Sequence, residues 1–465
     1  MRGRMAGALS SLVPEAVESF IGIEGYLTKT RGVGGVIKLR PEDFLAWELL
    51  TDGLDARSAY ESWRGLSEGL GDHVLAVMRK RRIDMIRACT VIAKKLGIKP
   101  GEIGVCGIKD KMSVSWQFIT LPSESISQQG LRIGELIQVL PVSYAARKLS
   151  SKKLARNLFE ITVRNLSGEL EEAEKCIKEL SSRGLPNYYA HQRFGIARPI
   201  TALVGRCMIE GRLEDVVKTF LTEFSPLESP ENREARRRLL EDFDPKQALE
   251  YFPRSLRYER AVLRYLAKNP GDYLGALRSL PLRLRRLMVE SVSALIFNKA
   301  LSRIISENLL KEVELGDLAM RLDRFGRPEP SRPIEVSSGN LSQVERMLER
   351  GRLAIALPVP GYLSPIPRSR KGEILLEVMR EFDLEFKMFR LKSCPEASTR
   401  GSLRPITVPR WSCRILEFGG SSLKLSIELP PGSYATVLLR EIMKPKTPLA
   451  FIGKTINKDE SEGSG

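Results

Sequence analysis

The chain has 465 residues, 42% of them hydrophobic, and carries 74 lysines and arginines against 57 aspartates and glutamates, a net charge of +17. That length exceeds what one hydrophobic core usually organises and predicts two domains, while the charge excess favours a polyanionic partner through counterion release. Six isolated cysteines with no C-x-x-C pair, only two histidines (His73 and His191) and no run near twenty apolar residues argue against zinc sites, histidine-based triads and membrane spans; they predict free thiols in a cytoplasmic protein.

In chain order, residues 34–50 alternate apolar and polar positions in two strand-like halves broken at Pro41, which puts Glu42, Asp43 and Phe44 on a turn. Residues 73–78 read as a strand. Asp84 caps a predicted helix whose apolar face runs through Ile86, Cys89 or Thr90, Ala93 and Leu96, closed by Gly97. Residues 104–106 and 114–120 are predicted strands flanking a Lys109-Asp110-Lys111 turn, and a further strand covers 158–163. A helix over 170–180 and a turn over 184–186 follow. Beyond about residue 205 the pattern changes to Arg/Leu-rich helical periodicity, including 257–266 and 284–305. A passage holding Pro358, Pro360, Pro365 and Pro367 excludes regular helix, with a turn at Gly361-Tyr362. Strand-like alternation returns at 423–429, ahead of a helix over 434–443. The predicted fold is α+β: one domain over 1–205 plus 400–455, interrupted by a mainly helical insertion over 206–399. Residues 456–465 form a polar tail expected to be disordered.

Basic clusters recur at Arg79-Lys80-Arg81-Arg82, at Lys152, Lys153 and Arg156, at Arg236-Arg237-Arg238, and at Arg285-Arg286. Each alone suits a solvated face, but their spread suits a broad footprint on a large nucleic acid. Two stretches add chemistry. In the first, Asp110 sits between Lys109 and Lys111 on a turn held by strands, beside the small residues Cys106 and Gly107 that let a substrate approach. A carboxylate so placed can attack a sugar or base carbon, or take a proton from one, without metal or cofactor. Lys109 either pairs with that carboxylate or reaches a phosphate. The second stretch, Asn187 to Gly195, offers an amide for a base edge in Asn187, a stacking face in Tyr189 and a phosphate ligand in Arg193. Tyr188, Tyr189 and Phe194 suit a hydrophobic core equally well, and so does Phe44, the other possible stacking face. Gly32-Val33-Gly34-Gly35 lacks the third glycine of a dinucleotide fingerprint, and there is no P-loop, H-E-x-x-H or G-x-S-x-G.

Several of these segments, in order along nearly the whole chain, resemble the TruD-type tRNA pseudouridine synthases. They include Gly34-Gly35-Val36-Ile37-Lys38 with Arg40-Pro41-Glu42-Asp43-Phe44, Gly107 to Gln117, Asn157 to Asn165, Asn187 to Gly195, Arg400 to Pro405 and Gly432 to Ile442. The resemblance implies an isomerase that converts uridine to pseudouridine in tRNA, commonly at position 13, on a flipped base and without a cofactor, and an α+β fold whose catalytic domain has a mixed, largely antiparallel sheet interrupted by a mainly helical α+β insertion domain. It implies Asp110 as the catalytic residue, Lys109 as its neighbour, Lys38 and Phe44 reaching into the cleft, Asn187 and Tyr189 holding the nucleotide, and Tyr434 as an aromatic on the final helix. The expected partner is tRNA, with other RNAs left open, and the expected state is a monomer. Two other classes compete. A methyltransferase needs a glycine-rich cofactor loop that the chain does not offer, and a non-catalytic RNA-binding protein satisfies the charge while leaving Asp110 dispensable.

Overall fold

A computed structural model describes residues 9–107, 109–329 and 331–454; Arg2, Arg4 and the expected disordered tail over 456–465 lie outside the described residues. The strands are β1 (Gly34–Val36), β2 (Phe44–Leu50), β3 (His73–Arg81), β4 (Gly104–Val105), β5 (Val114–Pro122), β6 (Leu131–Ile133), β7 (Ile137–Ala145), β8 (Leu154–Leu166), β9 (Leu318–Arg321), β10 (Ile334–Glu335), β11 (Leu353–Val359), β12 (Ser402–Pro405), β13 (Ser412–Gly419) and β14 (Ser422–Leu429). Among the described residues, ten of them form one sheet whose main path is β13-β14-β8-β2-β5-β3-β7-β6, with β1 on β8 and β4 on β5. Only the β2–β5 pair is parallel, so the α+β fold with a mixed, largely antiparallel sheet is as predicted.

Local chemistry explains the elements that frame the site. Pro41 opens a 3-10 turn over Pro41–Asp43, and β2 starts at Phe44 with strictly alternating burial. Asp84 caps the helix Met85–Leu96 by accepting from the Arg87 amide at 2.9 Å, and Gly97 closes it in the left-handed conformation at φ 69°. The buried face of that helix is Met85, Ala88, Ile92 and Ala93, whereas Ile86 is 63% exposed. The expected apolar stripe through Ile86 is thus rotated by one residue. The sheet face beneath the helix, with Val74, Ala76 and Met78, takes the larger contact offered by Met85 and Ile92.

The helices expected at 257–266 and 284–305 are present as Arg257–Lys268 and Leu282–Ser306. The second is buried nearly all round, and its Phe297 and Ile296 share one continuous core with Ile161 of β8 and Leu425 of β14. A small sheet, β10-β9-β11-β12, lies in the later part of the chain; Pro358 belongs to its strand β11, and β12 joins it by pairing Ser402 with Val359. No described helix is long and apolar enough to cross a membrane.

Candidate active site

The alternation of β2 decides which of its residues face a substrate. Phe44, Ala46 and Glu48 project to one face, in register with Ile161, Phe159 and Asn157 of β8. Glu48 is fully buried, and a buried carboxylate persists only when it is paired and hydrogen-bonded. Its Oε1 accepts from Lys109 Nζ at 2.9 Å and Gln117 Nε2 at 3.3 Å, and its Oε2 from the Phe118 amide at 3.1 Å. Lys109 also donates to Asn157 Oδ1 at 2.8 Å. Neither sequence alternative for Lys109 describes this arrangement: the lysine pairs with Glu48, not with the adjacent aspartate, and its buried amine is committed to two acceptors.

Asp110 is held instead by Lys38, whose Nζ donates to Oδ2 at 2.8 Å. Lys38 is buried, sits 4.3 Å above the Phe44 ring, and adopts φ 62°, a left-handed conformation that a lysine rarely takes. The neighbouring backbone holds it there: the Ile37 amide donates to the Ala450 carbonyl at 3.0 Å, and a side chain at Gly453 would meet the Lys38 carbonyl at 2.6 Å. Such strain at a charged residue directed onto a carboxylate marks a position where geometry matters more than local stability. The Asp110 carbonyl accepts from Lys80 Nζ at 2.7 Å and Ser113 Oγ at 2.8 Å, which fixes the turn, while the carboxylate itself remains 39% exposed.

Lys80 is completely buried and also donates to the Ile83 carbonyl at 3.1 Å. Burial pushes its amine down to about 8, against the opposing pull of Asp110. Between about pH 8 and the ordinary lysine range the unfolded chain holds a proton that the folded chain has released, so folded stability rises with pH across that window. The measurable expectation is that wild type gains stability relative to Lys80→Met as pH is raised from 8 to 10 in urea titrations; parallel curves for the two proteins would contradict it.

A cavity of about 490 Å³ opens over these groups. Asp110, Lys109, Phe44, Asn157 and Phe159 line one side, and residues 431–436 line the other. Phe44 meets Phe159 edge-on with ring centroids 5.8 Å apart, so it is a packed wall and not a free wedge. Tyr434 is the N-cap residue of the helix Ala435–Met443, and burial raises its hydroxyl above its ordinary value, keeping it a protonated donor. Cys106 also lines the cavity, but burial pushes its thiol up to about 12, which leaves it a poor nucleophile.

The second stretch is organised differently from its sequence reading. Asn187 is buried, donates to the Pro405 carbonyl at 3.0 Å and accepts from Arg404 Nη2 at 2.7 Å, so its amide is committed to protein partners. Tyr189 packs edge-on against Phe297 and Tyr434, with the Arg404 guanidinium 4.2 Å from its ring. Arg193 pairs with Glu290 at 2.9 Å and lies 5.5 Å from the same ring. Tyr189 and Asn187 line a smaller cavity of about 190 Å³ that shares Pro431, Gly432 and Ser433 with the larger one.

Sequence reasoning did not single out Glu48, Lys80 or Arg404. The first two carried a signal. Glu48 continues the buried positions Phe44 and Ala46, and Lys80 continues Val74, Ala76 and Met78, so period two alone puts each on a covered face. Arg404 fell within the Arg400 to Pro405 stretch that carried the resemblance, but its role had no local signal, because its acceptors on Asn187 and Tyr188 lie more than two hundred residues away.

An α+β catalytic body with a paired aspartate at a strand-end turn, and a second unit inserted before its last strands, defines a class of enzyme scaffold. The chain belongs to the TruD family: the model for "tRNA pseudouridine synthase D (TruD)" matches residues 20–442. Relatives named "Probable tRNA pseudouridine synthase D" include that of Methanosarcina mazei, 31% identical over 444 residues covering 93% of this chain and 98% of the relative. The Methanopyrus kandleri relative is 35% identical, over 81% of this chain and 86% of its own length. The solved structure of the Methanosarcina mazei TruD protein superposes with a TM-score of 0.76 at 31% identity, covering 94% of this chain and 100% of that one.

Proposed function

We propose that this protein is a tRNA pseudouridine synthase, an isomerase acting on a uridine turned out of the RNA stack into the 490 Å³ cavity, with position 13 as the site. The observation that carries the reading is Asp110: a partly exposed carboxylate, bonded at 2.8 Å by a buried lysine in a strained conformation, inside a cavity walled by aromatic rings.

In the reaction the bond between uracil N1 and ribose C1′ breaks, the base rotates, and a bond from C5 to C1′ forms. The hydrogen on C5 leaves as a proton and N1 regains one, so no oxidant or energy source enters the balance. Asp110 either adds to the nucleotide or takes a sugar proton to give a glycal; both routes need an anionic carboxylate facing C1′ or C2′. Lys38 holds that carboxylate in place and disperses its charge. Lys109, bonded to Glu48 and Asn157, anchors the turn from its other side. Phe44 and Tyr434 flank the base; Tyr189 packs edge-on against Tyr434, Arg193 lies against the Tyr189 ring, and Asn187 holds Arg404 beside both tyrosines. We assign the catalytic unit to residues 1–205 plus 400–455, with 206–399 as the inserted unit and a monomer as the working state.

The test is tritium release from unmodified tRNA transcripts labelled at uracil C5. Release together with a mapped pseudouridine is expected. Tight, salt-sensitive tRNA binding with no release on any tRNA would overturn the reading in favour of an RNA-binding protein on an enzyme scaffold.

A further inference from the structure

The end of the sheet farthest from β13 carries a basic hollow that the chemistry above does not use. Its volume is about 290 Å³, and it lies over β3, β7 and β6, with Arg79, Arg81, Arg132, Glu135 and Gln138 in its lining. Sheet pairing assembles it. Arg79 is in register with Gln138, and Gln138 with Arg132, so two arginines from separate segments flank one amide across three strands. Arg79 and Arg81 alternate with Lys80 along β3, so they face away from the side on which Lys80 reaches the Asp110 carbonyl.

Donors dominate the hollow. The Tyr60 hydroxyl donates to Gln138 Oε1 at 2.6 Å, which leaves Nε2 as the open end of that amide. Arg79 is half-buried and makes no hydrogen bond or ion pair among the described residues. Arg132 is exposed and bonds the Gly134 carbonyl at 3.3 Å, while Arg81 gives its Nε to Glu42 at 2.6 Å. Three guanidinium groups against the carboxylates of Glu42 and Glu135 leave the hollow positive, and its unpaired guanidinium is completed by an anion from outside. Among the described residues no aromatic ring lines it, so it offers a base no stacking face and suits a phosphate group instead. The positive charge continues toward the catalytic turn. Arg82 is exposed at the end of β3, at φ 55°, with its amide bonded to the Ser113 carbonyl at 3.3 Å, and Ser113 Oγ is the donor to the Asp110 carbonyl. Lys111 is exposed on the turn itself, and neither it nor Arg82 has a carboxylate partner among the described residues.

Resting on the synthase reading, we propose that this hollow is a backbone-phosphate site for tRNA, outside the segment that enters the catalytic cavity. The RNA crosses the end of the sheet past Lys111 and Arg82, and Arg79, Arg132 and the Gln138 amide hold a phosphodiester group. Such a contact carries no base identity; it fixes the register of the RNA from the face opposite the reacting carboxylate.

The test uses the full chain and an unmodified tRNA transcript, with Arg79→Gln and Arg132→Gln combined so that both charges go and polar side chains remain. The double variant is expected to raise Kd about tenfold and to reduce the slope of log Kd against log salt by about 1.5, as loss of two phosphate contacts requires. The single-turnover rate on saturating tRNA should match wild type, because neither arginine lines the cavity that holds Asp110. Ethylation of individual tRNA phosphates should interfere with wild-type binding at positions beyond the target loop, and those positions should fall silent in the variant. Arg79→Lys with Arg132→Lys, which keeps both charges, should restore most of the affinity. Lys175→Gln, at an exposed lysine of the helix Leu170–Arg183, controls for net charge and should leave the slope unchanged. An unchanged slope in the double glutamine variant would overturn the phosphate site, as would an equal loss of slope in Lys175→Gln. Absence of interference beyond the target loop in wild type would overturn it without any variant. Failure of wild type to form pseudouridine, with the slope difference intact, would instead remove the synthase reading and leave an RNA-binding site.

Discussion

Replacement of Asp110 by asparagine is expected to lower pseudouridine formation by at least about a thousandfold, on the order of 4 kcal/mol of transition-state stabilisation, while tRNA affinity changes by less than about threefold. The substitution keeps the shape of the side chain and one oxygen to accept from Lys38, and it leaves untouched the bonds from Lys80 and Ser113 to the Asp110 carbonyl. What it removes is the nucleophilic or basic oxygen. Because the turn is fixed through its backbone, the loss should appear in kcat and not in KM. Single-turnover kinetics on saturating tRNA, beside a filter-binding titration, separate the two. Appreciable residual isomerisation would return Asp110 to the status of a solvated turn residue.

The largest expected effect on stability lies at Glu48, the partner of the neighbouring Lys109. Glu48→Ala leaves the Lys109 ammonium buried with Asn157 as its remaining acceptor among the described residues, strips the Phe118 amide of the Glu48 carboxylate, and leaves Gln117 Nε2 with the Gly107 carbonyl. Breaking one side of a buried ion pair costs about 3–5 kcal/mol, because the surviving charge keeps its desolvation penalty. Urea denaturation should therefore show a clearly lower midpoint for Glu48→Ala. The double variant Glu48→Leu with Lys109→Met should lose less than the sum of the single changes, since it removes both charges together. Additive losses would mean that the two side chains do not depend on one another. Turnover should fall in the single variant as well, because the same contact holds the backbone leading into Asp110.

The elements next to the site were legible for a specific reason. Pro41, Asp84 and Gly97 each act through their own backbone conformation or a partner within three or four residues, so the turn before β2 and the ends of the helix Met85–Leu96 follow from local chemistry. The facing of that helix was less accessible, because a stripe through Ile86 and one through Met85 are both amphipathic, and only the sheet beneath selects between them. The strands β9, β10 and β12 are two to four residues long, too short for periodicity to register.

The residues of the site divide in the same way. Lys109-Asp110-Lys111 taken alone reads as a solvated turn; Asp110 became a candidate because apolar strands flank that turn beside the small residues Cys106 and Gly107, and the ordered motifs around it carried the family. By itself the sequence determined the polyanionic partner from its charge, the α+β class from its patterning, and the catalytic carboxylate as a candidate. Only the tertiary structure decided which lysine serves that carboxylate. Lys109 is adjacent in the chain yet turns to Glu48, whereas Lys38 lies seventy-two positions away and makes the bond. It likewise gave Asn187 to Arg404 across 217 positions. Lys109 and Asp110 sit in the loop between β4 and β5, where neighbouring side chains take different directions, and the pairing of β2 with β5 and β8 brings Glu48 and Asn157 to Lys109 from afar.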